Sequence, residues 1–188
     1  MSELDTAVEE IFANLRRLGR WVAARRGGAL SSNLIKEQLT ALGLNPPEDL
    51  VHLYTLGNGT RSNSGDKLDD IWLFPGYYWL SLEDARLTYA TFRDDPRWNP
   101  GWFPIFASGG GDFYAVICDG TDSGVVGCLL GEEDQLVEYS SVTAMFSVLA
   151  KCFTEGAFFE GPAGYTADYP KMRLIAKKLY PDFAEHAV

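Results

Sequence analysis

The residues best placed by type and spacing to do chemistry lie in the run Trp102–Asp119, WFPIFASGGGDFYAVICD, where Gly109, Gly110, Gly111 and Asp112 separate two apolar stretches. A phosphate cradle needs backbone N–H groups that open into a helix N-terminus, usually completed by a lysine or serine. Here the glycines lead into FYAVICD, a strand pattern, with no lysine nearby and with Asp112 set to repel phosphate. A hairpin loop, with glycine supplying positive φ, accounts for the stretch better. Asp112, Asp119 and Asp122, or Glu132, Glu133 and Asp134, could offer oxygen ligands to a metal, but calcium loops alternate their acids around a fixed glycine and that pattern is missing. The two histidines, His52 in a helical run and His186 near the end, suit no nucleophilic triad, and no G-x-S-x-G occurs. The expectation is a protein with no catalytic residues, no cofactor and no metal.

The elements that must position these residues follow from periodicity. Leu4, Val8, Phe12, Leu15, Leu18 and Val22 recur every three or four positions, which predicts an amphipathic helix over 2–26 with acids first, arginines last and Gly27-Gly28 as its stop. A second helix is expected over about Ser32–Leu42, with Leu34, Ile35, Leu39 and Leu42 inward. A third opens at Pro46-Pro47 and ends at LGNG, Leu56–Gly59. Thr60–Asp70 reads as a loop, IWLF (Ile71–Phe74) as a short strand, and Ser81–Arg93 as a capped helix. FPIFA, FYAVICD, VVGCLL and QLVEYS form a run of strands with tight turns, followed by a helix to Phe153, a loop over 155–169 and a helix from Pro170 to about Leu179. Consecutive strands with short turns pair antiparallel. The predicted class is therefore α+β, a single domain over 1–188 whose mainly antiparallel or mixed sheet of about four to six strands is flanked by helices.

The chain carries a net charge of −10, concentrated in its body: Leu44–Glu160 holds 18 acidic residues against 6 basic ones. Such a body repels nucleic acid, whose phosphates demand Lys and Arg, and steers basic proteins toward it. Acids interleave with the first apolar residues as in no signal peptide, and no run approaches the ~18 apolar residues of a membrane span. Three cysteines without C-x-x-C spacing read as reduced core thiols, so the expected location is cytoplasmic, with no membrane partner.

Two segments carry a resemblance. In LNPPEDLVHLYTLGNG (Leu44–Gly59), Pro47 starts a helix, Leu50 and Tyr54 lie on its apolar face, and Asn58-Gly59 closes it. In WFPIFASGGGDFYAVICD, Trp102, Pro104, Ile105, Gly111, Asp112 and Asp119 recur as aromatic, proline, isoleucine, Gly-Asp and a strand ending in Asp. Together, over about 34–153, these resemble the SUKH superfamily, which includes bacterial immunity proteins that neutralise secreted toxins and the fungal Smi/Knr regulators of cell-wall synthesis. The helix over 2–26 and a helical extension over 157–188 lie outside this core. The resemblance implies an α+β fold without catalytic residues, in which Pro47, Asn58, Gly59, Pro104, Gly111, Asp112 and Asp119 are structural and Asp112 caps or pins the glycine turn. It implies in turn an immunity-type protein that binds a basic toxin domain, a nuclease being the expected kind; a non-catalytic regulator or scaffold of the Smi/Knr type is the alternative. Candidate contacts are Asp66, Asp69, Asp70 and Trp72, the tryptophans Trp98 and Trp102, and an acidic edge of Glu132, Glu133 and Asp134.

Overall fold

The computed structural model describes residues 1–120, 124–128, 131–132, 135–162 and 164–181. Helix α1 spans Glu3–Arg17, with Ser2 and Asp5 forming a reciprocal capping box at its start. It buries Leu4, Val8, Ile11, Phe12 and Leu15, on the expected face, but ends two and a half helical turns before residue 26. Gly19 adopts φ +70°, its N–H bonds to the Arg16 carbonyl, and the chain resumes as a separate 3₁₀ turn over Trp21–Ala24 that buries Val22. The charge pattern and the apolar spacing run on through the break, which is why the sequence reads as one helix; the left-handed turn at glycine divides it.

Helices α2 (Ser32–Thr40) and α3 (Glu48–Leu56) follow, with Ser31 and Pro47 as their N-caps. Ile35 and Leu39 are buried in α2, whereas Leu34 is 40% exposed, contrary to its expected inward face. IWLF is not a sheet strand. Leu68–Ile71 winds into a 3₁₀ turn, and Leu73 bonds back to the Tyr77 carbonyl around Pro75-Gly76, with Gly76 at φ +89°. Alternating burial of Ile71 and Leu73 imitates a strand, but the segment pairs only with its own return.

The sheet begins with β1 (Tyr78–Trp79) and, after helix α4 (Leu82–Phe92), continues as β2 (Trp102–Ala107), β3 (Phe113–Ile117), β4 (Val125–Cys128) and β5 (Leu136–Tyr139). Its order is β1-β2-β3-β4-β5, every pair antiparallel. The predicted α+β class and meander hold. Helix α5 (Val142–Thr154) packs against α1 and the sheet, and Phe146 meets both Trp79 and Phe106. The expected loop over 155–169 is instead a hairpin of β6 (Phe158–Gly161) and β7 (Gly164–Ala167), followed by α6 (Tyr169–Leu179). Glycine and proline in EGPAG read as loop punctuation, yet the β-forming Phe158-Phe159 and Tyr165-Thr166 on either side pair as strands, with Gly161 opposite Gly164. One buried cluster joins the helices, the sheet and this hairpin.

Candidate functional site

Antiparallel order decides which loops meet. The start of β1, the β2–β3 loop and the β4–β5 connection all fall at one end of the sheet, because each lies where Tyr78 faces Ala107 and Phe113 faces Cys128. The loop Ser108–Asp112 is the predicted hairpin turn, with Gly109 at φ +78° and Gly111 at φ +107°. The pin, however, is Ser108 and not Asp112: the Ser108 hydroxyl accepts from the backbone N–H of Gly110 (3.0 Å) and Asp112 (3.2 Å). A short hydroxyl one residue into the turn reaches these N–H groups directly, which displaces the carboxylate from that role. Gly109 lies against the loop before β1, since a Cβ there would stand 2.7 Å from Leu68 Cδ2.

That loop carries three of the predicted contact carboxylates, and each is engaged within the chain. Asp66 pairs with Arg25, and the Arg25 bond followed by the Asn63 backbone bond holds its carboxyl below the usual range. Asp69 pairs with Arg20 at 2.7 Å, and Arg20 reaches Glu160 of β6 at 2.6 Å while lying 4.2 Å over the Tyr165 ring. Burial pulls the Arg20 guanidinium down, but the bonds to Glu160 and Asp69 outweigh it and leave it raised. Asp70 accepts from the Lys67 backbone N–H (3.0 Å). Trp72 is half-buried, and its indole N–H finds no acceptor among the described residues. Glu132 is exposed in the β4–β5 connection at this end; Glu133 and Asp134 lie outside the described residues.

Trp98 and Trp102 belong elsewhere. Trp102 opens β2 opposite Ile117, so at about 3.4 Å per residue it sits roughly 17 Å from the glycine loop. Trp98 is only 4% exposed and donates its indole N–H to the Trp102 carbonyl. Asp119 is at that far end too, bridged to Asn45. The remaining motif residues do structural work. Pro47 caps α3, Asn58 Oδ1 accepts the Leu82 N–H that starts α4 (2.7 Å), Gly59 sits at φ +68° against the Leu80–Ser81 backbone, and Pro104, paired with Ala115, stands just before the β2 bulge at Ile105.

The feature no motif announced is a pocket of about 200 Å³ beside the glycine loop, lined by Phe74, Tyr77, Tyr114, Glu138, Phe158 and Tyr169 among others. Tyr77 and Tyr114 meet edge to face at 4.9 Å, and Phe74 stacks on Tyr77 at 5.2 Å. Tyr114 donates its hydroxyl to Glu138 at 3.1 Å. Burial, then the Asp112 and Glu138 charges, push the Tyr77 hydroxyl well up. The only hint in the sequence is FPGYYW, Phe74–Trp79, an aromatic run around a turn. A second, polar cleft of about 390 Å³ lies behind Asn58, between Gly27, Arg61 and Ser81.

Among the described residues no three His, Cys, Asp or Glu side chains gather as a metal site, and no helix is long and apolar enough to cross a membrane. Cys118, Cys128 and Cys152 are buried and reduced; burial drives all three thiols up, Cys128 and Cys152 to about 12, so they stay protonated and unreactive at neutral pH.

A five-strand antiparallel meander with flanking helices, and an aromatic, carboxylate-bearing pocket lined by β3, β4 and β5, the turn before β1, the β6–β7 hairpin and α6, defines an α+β domain. The chain belongs to the SMI1 / KNR4 family (SUKH-1), whose model matches residues 29–148, a family of immunity and regulatory proteins of the Smi/Knr type. Pro47, Asn58, Gly59, Pro104, Gly111, Asp112 and Asp119 all fall inside that span; α1, the β6–β7 hairpin and α6 fall outside it. No curated protein matches the chain.

Proposed function

We propose that this protein is an immunity-type binder that neutralises a cognate secreted toxin domain, a nuclease, by direct protein–protein contact. Family membership gives the class of role. The observation that carries the rest is the charge of the body, 18 acids against 6 bases between Leu44 and Glu160. A nuclease must grip phosphates and is therefore basic, so an acidic binder speeds encounter and competes for the substrate channel. The proposed contact face is the end of the sheet where the segments carrying Asp69, Asp70, Trp72, Asp112 and Glu132 fall; Asp66 supports it through Arg25. Trp98, buried, does not reach the partner, and Trp102 lies too far along β2 to share this face.

The test is reversal of charge on two residues whose side chains make no hydrogen bond or ion pair among the described residues. Glu132→Lys with Asp112→Lys should weaken capture of a basic toxin domain by at least about tenfold at low salt, and by less as salt rises, because screening shortens the reach of both charges. Equal loss at all salt concentrations, or no loss, sinks the electrostatic reading of this face.

A further inference from the structure

The first turn of α1 is tied by side chains to three other helical segments. Glu3 accepts the hydroxyls of Ser147 in α5 (2.8 Å) and of Tyr180, the residue after α6 (3.1 Å). Asp5, the acid of the α1 capping box, reaches His52 of α3. Asp5 Oδ1 stands 2.7 Å from His52 Nε2, and Asp5 Oδ2 accepts the Ser2 backbone N–H at 2.6 Å. The Ser2 hydroxyl is 3.3 Å from the same Nε2, so serine and aspartate share one ring nitrogen. A catalytic triad sets them on opposite nitrogens, and these three residues do not form one.

The hydrogens on the ring follow from its partners. A carboxylate only accepts, so Nε2 donates to Asp5. On the other side of the ring, Nδ1 lies 3.3 Å from Thr55 Oγ1. The Thr55 hydroxyl directs its one hydrogen to the His52 carbonyl at 2.7 Å, which leaves Oγ1 an acceptor toward Nδ1. Both ring nitrogens therefore face acceptors, and only the imidazolium fills both bonds. We propose that Asp5 and His52 form a proton-operated latch: with hydrogen on both ring nitrogens His52 holds the first turn of α1 against α3, and loss of the Nδ1 hydrogen slackens it. Other charges at this junction are engaged elsewhere. On α3, Glu48 pairs with Lys36 of α2 (2.7 Å) and Asp49 accepts the Thr143 N–H of α5 (3.1 Å); on α1, Glu9 pairs with Arg26 (2.6 Å). The Ser2 backbone bond, then the His52 bond, hold the Asp5 carboxyl below its usual range, so Asp5 stays ionised and the histidine alone switches. The tie is complete on the acid side of the ordinary imidazole range, about 6.5, and is lost as pH rises through it. Helix α1 precedes the family match over 29–148, so the latch joins it to the shared core.

A double-mutant cycle of Asp5→Asn and His52→Ala, read by urea unfolding of the full chain at about pH 5.5 and about pH 8, tests the latch. Asparagine keeps an oxygen for the Ser2 N–H, and the other histidine, His186, is common to all four proteins and cancels. The two substitutions should couple roughly fivefold in the unfolding constant at the lower pH and less than about twofold at the higher. The amides of Asp5 and Thr6, which bond back to Ser2, should lose protection from hydrogen exchange across the same interval once the intrinsic pH dependence of exchange is removed, and those of β3 should not. Coupling of equal size at both pH values would assign the tie to the neutral ring and overturn the proposal. Absence of coupling at the lower pH, or coupling that grows as pH rises, would overturn it as well.

Discussion

Replacing Arg20 by methionine isolates the tie that holds the pocket's surroundings together. The Arg20 side chain is 9% exposed, against 40% for Asp69 and 44% for Glu160. Its head joins the loop before β1 to the β6 strand and lies over Tyr165, while methionine preserves most of the buried stem. The two ion pairs have half-exposed partners and contribute only about 0.5 kcal/mol each. The charge-assisted bond to the Asp69 carbonyl adds roughly 1.5 kcal/mol. The cation over Tyr165 at 4.2 Å adds about 1 kcal/mol. The expected loss is thus about 3.5 kcal/mol, or roughly 7–14 °C in Tm for a chain of this length. Urea unfolding followed by tryptophan fluorescence reads the stability, and amide hydrogen exchange reads its location. Exchange should quicken in β6–β7 and over 66–71, and far less in α5 or β3. A loss under about 1 kcal/mol would show that these contacts are solvent-equivalent. A full loss spread evenly over the molecule would show that Arg20 does not act as a local clamp.

Gly59→Ala should cost at least about 3 kcal/mol, since a side chain at φ +68° is strained and its Cβ would collide with the Leu80–Ser81 backbone; denaturant midpoints check it. Bonds from Arg97 hold the Asp95 carboxyl down at about 2 against an ordinary 3.8, so its stabilising contribution is complete above pH 3.8 and is lost as pH falls through about 2. Asp95→Asn should remove that contribution, lowering stability by a constant amount above pH 3.8 and flattening the profile in the acid window. Native protein should show no thiol labelling at neutral pH and three reactive thiols on unfolding, Cys118, Cys128 and Cys152; rapid labelling of any of them in the folded state would contradict their burial.

Much of this molecule was legible because local and tertiary preferences agree. Ser81 and Ser141 cap α4 and α5 by the side-chain bonds their positions suggest, and the apolar runs VVGC and LVEY, bounded by the turn-forming residues TDSG and GEED, are enough to predict a meander. Reading failed where local signals were ambiguous: at Gly19, whose left-handed turn is invisible in an unbroken apolar stripe, and at EGPAG, where a hairpin turn and a loop share the same residues. The candidate site was half legible. The polar, glycine-containing run over 60–70 put Asp66, Asp69 and Asp70 in one connecting segment, the end of which winds into the 3₁₀ turn Leu68–Ile71, but a carboxylate's sequence neighbours do not show that Arg20 and Arg25 come from a distant segment to pair with it. The pocket draws on Phe74, Tyr114, Glu138, Phe158 and Tyr169, which no spacing connects; only the strand register and the returning hairpin bring them together.

The proposed function requires that the acidic face take up a basic toxin domain. The most direct measurement is capture of partners from the protein's own cells at low and moderate salt, followed by an assay of the captured polypeptide's toxicity with and without equimolar protein. The account predicts one basic polypeptide, weakly held at higher salt, whose nuclease activity and toxicity disappear when wild-type protein is added and return with the Glu132→Lys, Asp112→Lys variant. A partner that is not basic, or one whose toxicity the protein leaves untouched, would contradict it.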